Sequence, residues 1–312
     1  MEYGEDAPRT TRGVSGGIMA SQRKAYAFGL ATVLLWSTVA SAFKLTLQVV
    51  DPVQLLFYST LFSTVILGLI LAFQGKLRSA FAGTRRDFVR SMLLGALNPA
   101  VYYLVLFKAY DLLPAQEAQP LNYTWGLTLP LLSIPLLKQK MSPWEIAALV
   151  LGYAGVVVIS THGDVAALEF SNPLGVALAL GSAFLWATYW IFNTRDKRDP
   201  VVCLFWGFLF GLPLTFLFCV ALSDLHVASW RGILGTLYVG CFEMSVTFVF
   251  WLVALRNSVN TAKVSMLIFI SPFFSLVLIH FLLGEAILSS TIVGLLFIVA
   301  GLLIQARASR AS

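Results

Sequence analysis

A series of long apolar segments, separated by short polar loops, constrains this chain more than any other feature. A membrane-spanning helix needs about 20 consecutive apolar residues. Segments of this kind fall at 26–47, 52–73, 88–110, 115–137, 144–161, 173–193, 201–222, 232–255, 261–282 and 286–306. A mean hydropathy of +0.83 and a charged fraction of 12%, against roughly a quarter in soluble domains, agree with this pattern. The sequence therefore predicts an all-α membrane protein with ten transmembrane helices.

Lysine and arginine are distributed unevenly among the loops. If the N-terminus is cytoplasmic, 17 of the 21 basic residues fall in the two termini or in loops on the cytoplasmic side. Arg231 is the single basic residue in an outside loop. This bias predicts both termini in the cytoplasm. It also explains the net charge of +6 as a topology signal, so no nucleic-acid partner is predicted.

The two halves of the chain begin with similar motifs. Leu-Leu-Trp-Ser-Thr at 34–38 returns 150 residues later as Phe-Leu-Trp-Ala-Thr at 184–188, and an Asp-Pro pair follows each copy. A unit of five spans ends on the side opposite to its start, so the second copy must be inverted. The sequence predicts two inverted five-helix repeats around a central cavity, an arrangement common in secondary transporters.

These repeats divide the chain into four parts. Residues 22–161 form the first predicted repeat and 162–306 the second. Residues 1–21 are polar and Gly-rich, and we expect a disordered tail or an artificial extension there. Residues 307–312 are expected to form a cytoplasmic tail.

The order of these motifs resembles the drug/metabolite transporter superfamily, and within it the EamA branch. The resemblance rests on the two Trp-Ser/Ala-Thr starts and on the Leu-Leu-Gly-Glu turn at 282–285 before a Gly-bearing last helix. The segment Pro-Leu-Asn-Tyr-Thr-Trp at 120–125 is similar to the YddG-like aromatic amino acid exporters of that branch. The family often has Glu in the first-half turn, where this chain has Gln139.

The resemblance implies a function and a location. We expect a secondary transporter of the bacterial inner membrane that exports aromatic or other apolar amino acids from the cytoplasm by alternating access. A different small metabolite or a drug is the alternative substrate. The expected partners are the small-molecule substrate and the lipid bilayer; a monomer is compatible with the sequence, and the oligomeric state is left open.

Aromatic and amide side chains inside the spans are the candidates for a substrate site. Several share a helix face, such as Trp186 and Tyr189, or Asn122 and Trp125. The predicted substrate-binding residues are Trp36, Asn98, Tyr102, Tyr103, Asn122, Tyr123, Trp125, Trp186, Tyr189, Trp190 and Glu243. Helix packing is the alternative role for these rings.

Glu243 lies at the middle of the eighth span, and no other acidic residue is so deep. A carboxylate there is costly unless it is paired, protonated or in contact with a water-filled path. Two interpretations follow. Glu243 takes part in proton coupling or binds a substrate amine, or it is a structural group hydrogen-bonded to a tyrosine or a backbone carbonyl.

Proline and lysine residues within the spans give two further predictions. Proline residues in spans three, four, seven and nine predict kinks there. Lys44 and Lys108 lie near the outer ends of spans one and three. We expect their amines to extend to the lipid headgroups, with an ion pair at a gate as the alternative.

Motifs for catalysis are absent from the sequence. It contains no Gly-x-x-x-x-Gly-Lys-Ser/Thr loop, no His-Glu-x-x-His and no Gly-x-Ser-x-Gly. Its three cysteines show no metal-ligand spacing. We therefore predict no catalytic residue, no metal and no cofactor. An intramembrane enzyme or a channel remains as the disfavoured alternative from another class.

Overall fold

The computed structural model describes residues 12–137, 141–166, 170, 172–258, 264 and 266–311. The structure is all-helical, with 83% helix. Eight stretches in this described part of the chain are long and apolar enough to cross a membrane. Residues 1–11 and Gln139 fall outside it, so the predictions made for them stay predictions. Residues 12–21, part of the expected disordered tail, are helical in the structure.

The helices are numbered α1 to α10 in chain order, with a and b for the two parts of an interrupted helix. Their bounds are α1 Arg12–Leu47, α2 Pro52–Phe73, α3a Arg85–Gly95, α3b Tyr102–Leu112, α4a Ala115–Tyr123, α4b Trp125–Leu137, α5 Pro143–Ser160, α6 Pro173–Asn193, α7 Pro200–Leu222, α8a Trp230–Phe242, α8b Val246–Arg256, α9 Ser271–Leu283 and α10 Ser289–Ala311. A short helix, Leu77–Ala80, follows α2.

Local sequence determines where several of these helices begin. Asp51, Thr84 and Ser142 each form a capping box with the third residue of the helix that follows. Proline occupies the start of α2, α5, α6 and α7, where its missing N–H has no cost. The two Asp-Pro pairs of the sequence repeat are therefore the caps of α2 and α7.

Three helices are interrupted within their length, and a fourth break precedes α9. A π-helical segment at 96–101 separates α3a from α3b, and Asn98 inside it leaves helical geometry. α4a ends at Tyr123, α8a ends at Phe242, and a 3₁₀ segment, Met266–Ile270, precedes α9. The breaks in α3, α4 and α9 lie near prolines, as the sequence predicts. α7 stays helical through Pro213, and the break in α8 has no proline to signal it.

Helix packing joins the two predicted repeats in matched pairs. α1 packs on α8 and α9, and its counterpart α6 packs on α3 and α4. α2 packs on α8, as its counterpart α7 packs on α3. The remaining large contacts join two counterparts directly, α2 with α7 and α5 with α10. Exchanging the two halves therefore leaves these largest packed pairs unchanged.

Both counterpart pairs run antiparallel. Near the start of α2, the Gln54 side-chain amide donates to the carbonyl oxygen of Asp224, which follows α7. After the end of α2, the Lys76 amine pairs with Asp199, which precedes α7, at 2.7 Å. In the other pair, Glu145 at the start of α5 contacts Gln305 near the end of α10.

Glycines let α5 and α10 approach to backbone contact. A Cβ added at Gly294 would lie 2.5 Å from the carbonyl oxygen of Gly155, and one at Gly301 would lie 2.7 Å from that of Ala148. Small residues permit this close packing of helices in lipid. The α5–α10 contact therefore depends on the absence of side chains at these positions.

Candidate functional site

A cavity of about 710 Å³ lies where the interrupted helices meet. This volume is within the range of small-molecule sites. Tyr102, Trp125, Glu243 and Phe269 line it, and each lies at or next to one of the four helix breaks. Interruptions in corresponding helices of two repeats mark the binding site in many transporters. The cavity at these helix breaks is therefore the candidate substrate site.

Most of the predicted substrate-binding residues come together here. The cavity is lined by Trp36, Tyr102, Asn122, Tyr123, Trp125, Trp186, Trp190 and Glu243. Asn98, Tyr103 and Tyr189 are buried behind the lining, where Tyr189 packs on Trp186 with ring centroids 5.5 Å apart. Tyr103 bonds to Glu243, so two of these three residues contact a side chain of the lining.

Aromatic rings form the broadest wall of the cavity. Tyr102 and Trp186 stack with centroids 4.6 Å apart, and Phe248 packs against both Trp186 and Trp36. Each ring is held by another, so its orientation is fixed before any ligand arrives. Such a surface suits an apolar or aromatic solute through area burial and ring contacts.

Glu243 supplies a carboxyl group to this aromatic wall. It lies between α8a and α8b and faces the cavity. One of its oxygens accepts a hydrogen bond from the Tyr103 hydroxyl at 3.1 Å. Within the described ranges, no Lys, Arg or His lies within ion-pairing distance of it. The group is placed to accept a proton or to bind a cationic group of a solute.

The cavity opens at one end of the molecule. Thr194 and Arg195 line it there and are exposed. Basic residues gather at the same end, because Arg90 donates to the carbonyl oxygens of Phe192 and Arg195. This is the end that the positive-inside pattern predicts to be cytoplasmic.

An ionic cluster stands beside this opening. Asp196 accepts hydrogen bonds from Arg198, the shortest at 2.7 Å, and lies 3.6 Å from Arg90. Partial burial raises the pKa of Asp196, but the hydrogen bonds and charge of Arg198 outweigh this effect and lower it to about 2. The cluster therefore remains ionised throughout the pH range of an ordinary transport assay.

The opposite end is closed by a layer of polar contacts around Gln116. The Gln116 amide donates to the carbonyl oxygen of Ala286, and its oxygen accepts from Leu288 N and Thr291 Oγ1 at 3.0 and 3.1 Å. Glu285 accepts hydrogen bonds from the first two amides of α4a, those of Ala115 and Gln116. A carboxylate at a helix N-terminus also meets the positive end of the helix dipole. Residues of the two halves are thus joined across this end.

Further contacts strengthen the closed end. The Lys44 amine donates to the carbonyl oxygens of Tyr110 and Leu113. Glu117 lies 2.7 Å from His162, and Lys108 pairs with Asp111 of its own helix. Lys44 is therefore a hydrogen-bond donor between α1 and the end of α3b, and its amine does not extend to the lipid headgroups as the sequence predicted.

Comparison with known proteins identifies the family. The sequence profile of the EamA-like transporter family matches residues 23–161 and 173–306, one match in each half. The chain belongs to the EamA-like transporter family. The family expected from the sequence motifs is confirmed, and the chain is a membrane-embedded transporter of the EamA type.

Relatives of this EamA protein have low sequence identity to it, but they align with most of its length. An uncharacterised transporter of Clostridium kluyveri is 27% identical over 297 residues, 91% of this chain and 93% of the relative. The aromatic amino acid exporter YddG of Ancylobacter novellus is 25% identical over 243 residues, 76% of this chain and 81% of the exporter. A solved crystal structure superposes with a TM-score of 0.64 at 22% identity, covering 92% of this chain and 98% of its own. At that identity the likeness shows the fold alone.

Sequence reasoning missed several polar residues that line the cavity of this EamA protein, among them Gln119 and Arg195. Gln119 lies three residues before Asn122 and shares its helix face, so the spacing was a usable signal. Arg195 follows the end of a span and was interpreted only as a topology marker. Its position at the opening required the structure.

The Glu285 contact leads to a testable prediction about the closed end. Glu285→Ala leaves the amides of Ala115 and Gln116 without their acceptor. Loss of a helix cap costs about 0.5–2 kcal/mol, so we expect the closed end to open roughly 2- to 30-fold more often. The measurement is the labelling rate of Leu106→Cys, which lines the cavity, by an impermeant maleimide added from the Gln116 side. Cys203, Cys219 and Cys241 are first replaced by alanine.

Asp111→Asn is the matched control for this experiment. It removes a carboxylate at the same end, but the partner of Asp111 is on its own helix. We expect the labelling rate to stay at the wild-type value. Equal labelling of the Glu285→Ala and Asp111→Asn proteins would contradict a role for Glu285 in closure.

Proposed function

We propose that this EamA protein exports aromatic or other apolar amino acids from the cytoplasm by alternating access. In this proposal it lies in a bacterial inner membrane, with both termini cytoplasmic and ten helices in two inverted repeats. The proposed substrate class rests on one observation. The cavity combines stacked rings with a carboxyl group that has no ionic partner among the described residues.

The direction of the counterpart helices supports the inverted arrangement. Inversion requires each helix of the second repeat to run opposite to its counterpart in the first. α2 and α7 run antiparallel, as do α5 and α10. The matched packing pairs agree with a two-fold relation between the halves.

The opening of the cavity corresponds to the loading step of the proposed export cycle. In the proposed orientation, the open end near Arg195 faces the cytoplasm, and the layer around Gln116 closes the outer side. A solute enters from the cytoplasm and binds between the rings. The Arg195 end then closes, the Gln116 layer opens, and the solute leaves outward.

The chemistry of an aromatic amino acid fits the lining. Its ring can pack against the aromatic side chains of Tyr102, Trp186 and Trp36, which line the cavity. Its ammonium group is complementary to Glu243. The Ancylobacter novellus relative is an aromatic amino acid exporter, which points to the same class.

A different metabolite or an amine-bearing drug is the second candidate substrate. The cavity wall is largely apolar, and the Glu243 carboxyl would accept any cationic amine. This candidate differs from an amino acid in having no carboxylate. Arg195, a basic residue at the opening, favours solutes that carry one.

Counterflow in proteoliposomes tests the proposal. Vesicles loaded with unlabelled L-phenylalanine are diluted into labelled L-phenylalanine, and we expect saturable uptake that depends on the protein. Unlabelled L-tryptophan should compete, whereas L-aspartate and phenethylamine should compete at least tenfold more weakly. Absence of exchange for every aromatic amino acid would overturn the proposed substrate class, and stronger competition by phenethylamine would favour the amine alternative.

A further inference from the structure

Lys44 joins α1 to the end of α3b at the closed end of the cavity. Its amine donates to the carbonyl oxygens of Tyr110 and Leu113 at 2.8 and 3.0 Å. The last carbonyl oxygens of a helix have no partner within that helix, and the negative end of the helix dipole favours a cation. We call these two hydrogen bonds the Lys44 contact. It connects two helices of the first repeat.

The second repeat carries a cation at almost the same position as Lys44. The offset of 150 residues that aligns Trp36 with Trp186 also aligns Lys44 with Thr194, one residue before Arg195. Arg195 is exposed and lines the opening, at the opposite end of the cavity from Lys44. Inverted repeats place corresponding residues at opposite ends in this way. Arg195 is therefore the basic residue that corresponds to Lys44.

The guanidinium group of Arg195 has no ionic partner at the open end. It lies over the Phe192 ring, 5.7 Å from the centroid, and forms no ion pair with any described residue. The neighbouring Arg90 and Arg198 differ, because both pair with Asp196. Arg195 is thus the cation at this opening whose charge is available for another contact.

The end of α8b offers the acceptors that correspond to those of the Lys44 contact. Counted from the last residue of each helix, Tyr110 and Leu113 at the end of α3b correspond to Ala254 and Asn257 at the end of α8b. Both helices are the second parts of interrupted spans. A cation that approached the end of α8b would meet the same pair of carbonyl oxygens, and the same negative end of a helix dipole.

The two ends of the cavity differ in whether these helices touch. α1 packs on α3b at the closed end, whereas the corresponding helices α6 and α8b make no comparable contact in the described part of the chain. Arg195 after α6 and Leu255 of α8b both line the opening. Arg256, the last residue of α8b, has its charge paired with Asp199 at 3.6 Å. The second repeat therefore holds the residues for the same contact, but at the open end they are not joined.

We propose that Arg195 closes its end of the cavity by donating to the carbonyl oxygens of Ala254 and Asn257 when the Gln116 end is open. This inference rests on the proposed function, because alternating access requires one end to close as the other opens. In two inverted repeats, the contact that one repeat makes before this exchange is made by the other repeat after it. Arg195 is a positioning residue that stabilises the state open at the Gln116 end, as Lys44 stabilises the state seen here.

Opposite effects of the two cations on access from the Gln116 side test this inference. The readout is the labelling rate of Leu106→Cys by an impermeant maleimide added from that side, with the three native cysteines replaced by alanine. Lys44→Gln removes a contact that keeps this end closed, so labelling should become about tenfold faster. Arg195→Gln removes a contact made only while this end is open, so labelling should become about tenfold slower.

Further variants separate the contact from a general loss of charge or of folding. The Lys44→Gln/Arg195→Gln double variant should label within about threefold of the wild-type rate, because the two effects oppose each other. Arg195→Lys keeps a cation and should label at least about threefold faster than Arg195→Gln. Lys197→Gln changes an exposed cation of the same loop outside the cavity lining, and should match the wild type. Labelling from the Arg195 side should be unchanged in Arg195→Gln, which shows that the cavity is intact.

The outcomes distinguish this inference from the proposed substrate class. Unchanged or faster labelling of Arg195→Gln from the Gln116 side overturns the role of Arg195, and so does a Lys44→Gln variant that labels at the wild-type rate. Absence of labelling from that side in every variant overturns alternating access and the role of Arg195 together. The labelling uses no substrate, so a failure of L-phenylalanine exchange overturns the substrate class alone.

Discussion

Replacing Glu243 with glutamine is expected to reduce aromatic amino acid transport about 100-fold while leaving the protein folded. Glutamine has nearly the same size, and its amide oxygen can accept the hydrogen bond that Tyr103 donates to Glu243. It has no negative charge, so the ammonium group of a solute loses its ionic partner. A 100-fold loss corresponds to about 2.7 kcal/mol, the size of a hydrogen bond to a charged group. The measurement is the initial rate of L-phenylalanine counterflow, made at several pH values.

Tyr103→Phe is the control that separates charge from hydrogen bonding. It removes the hydroxyl that reaches Glu243 but leaves the carboxyl group in the cavity. We expect this variant to transport within about fivefold of the wild type, since one neutral donor is lost. If Glu243→Gln instead matches the wild type at every pH, the carboxyl has only a structural role.

The second large effect concerns stability. Gly294→Ala is expected to destabilise the protein by about 1–3 kcal/mol, the usual cost of overpacking. The added Cβ would lie 2.5 Å from the carbonyl oxygen of Gly155 and equally close to the Ile159 side chain. A backbone oxygen within a helix cannot move aside as a flexible side chain can. The α5–α10 pair would have to separate, and the loss is measured as a lower midpoint of denaturant unfolding in detergent.

Gly181→Ala provides the matched control in α6. The nearest atom to a Cβ there is Val105 Cγ1 at 4.0 Å, an ordinary contact. Because alanine favours a helix by about 1 kcal/mol over glycine, this variant should be as stable as the wild type or slightly more so. Similar unfolding midpoints for the Gly294→Ala and wild-type proteins would show that the close approach of α5 and α10 is dispensable.

The sequence predicted the helices well where their causes are local. Apolar length defines a span within one segment, and Asp51 and Asp199 cap the next helix through atoms two or three residues away. The break in α8 was not predicted. The Ser245 hydroxyl bonds the carbonyl oxygen of Gly240 and the Ser63 hydroxyl on α2. A contact with another helix therefore takes part in that break, and no local pattern reveals it.

The sequence also predicted much of the cavity lining, but not which face each residue presents. Trp186 lines the cavity, whereas Tyr189, three residues later, lies behind it. Asn98 lies in a non-helical turn of α3, so helical spacing could not predict its direction. The functional roles of the lining residues remain predictions for the experiments above.

The sequence by itself determined the membrane environment, the family and the residue types available for binding, because apolar length, charge bias and motif order are properties of the chain. Only the tertiary structure decided which of those residues share a cavity. It also decided that one end is open near Arg195 and the other is closed by Gln116 and Glu285. These features arise from contacts between residues more than 100 positions apart, whose geometry depends on how all the helices pack together.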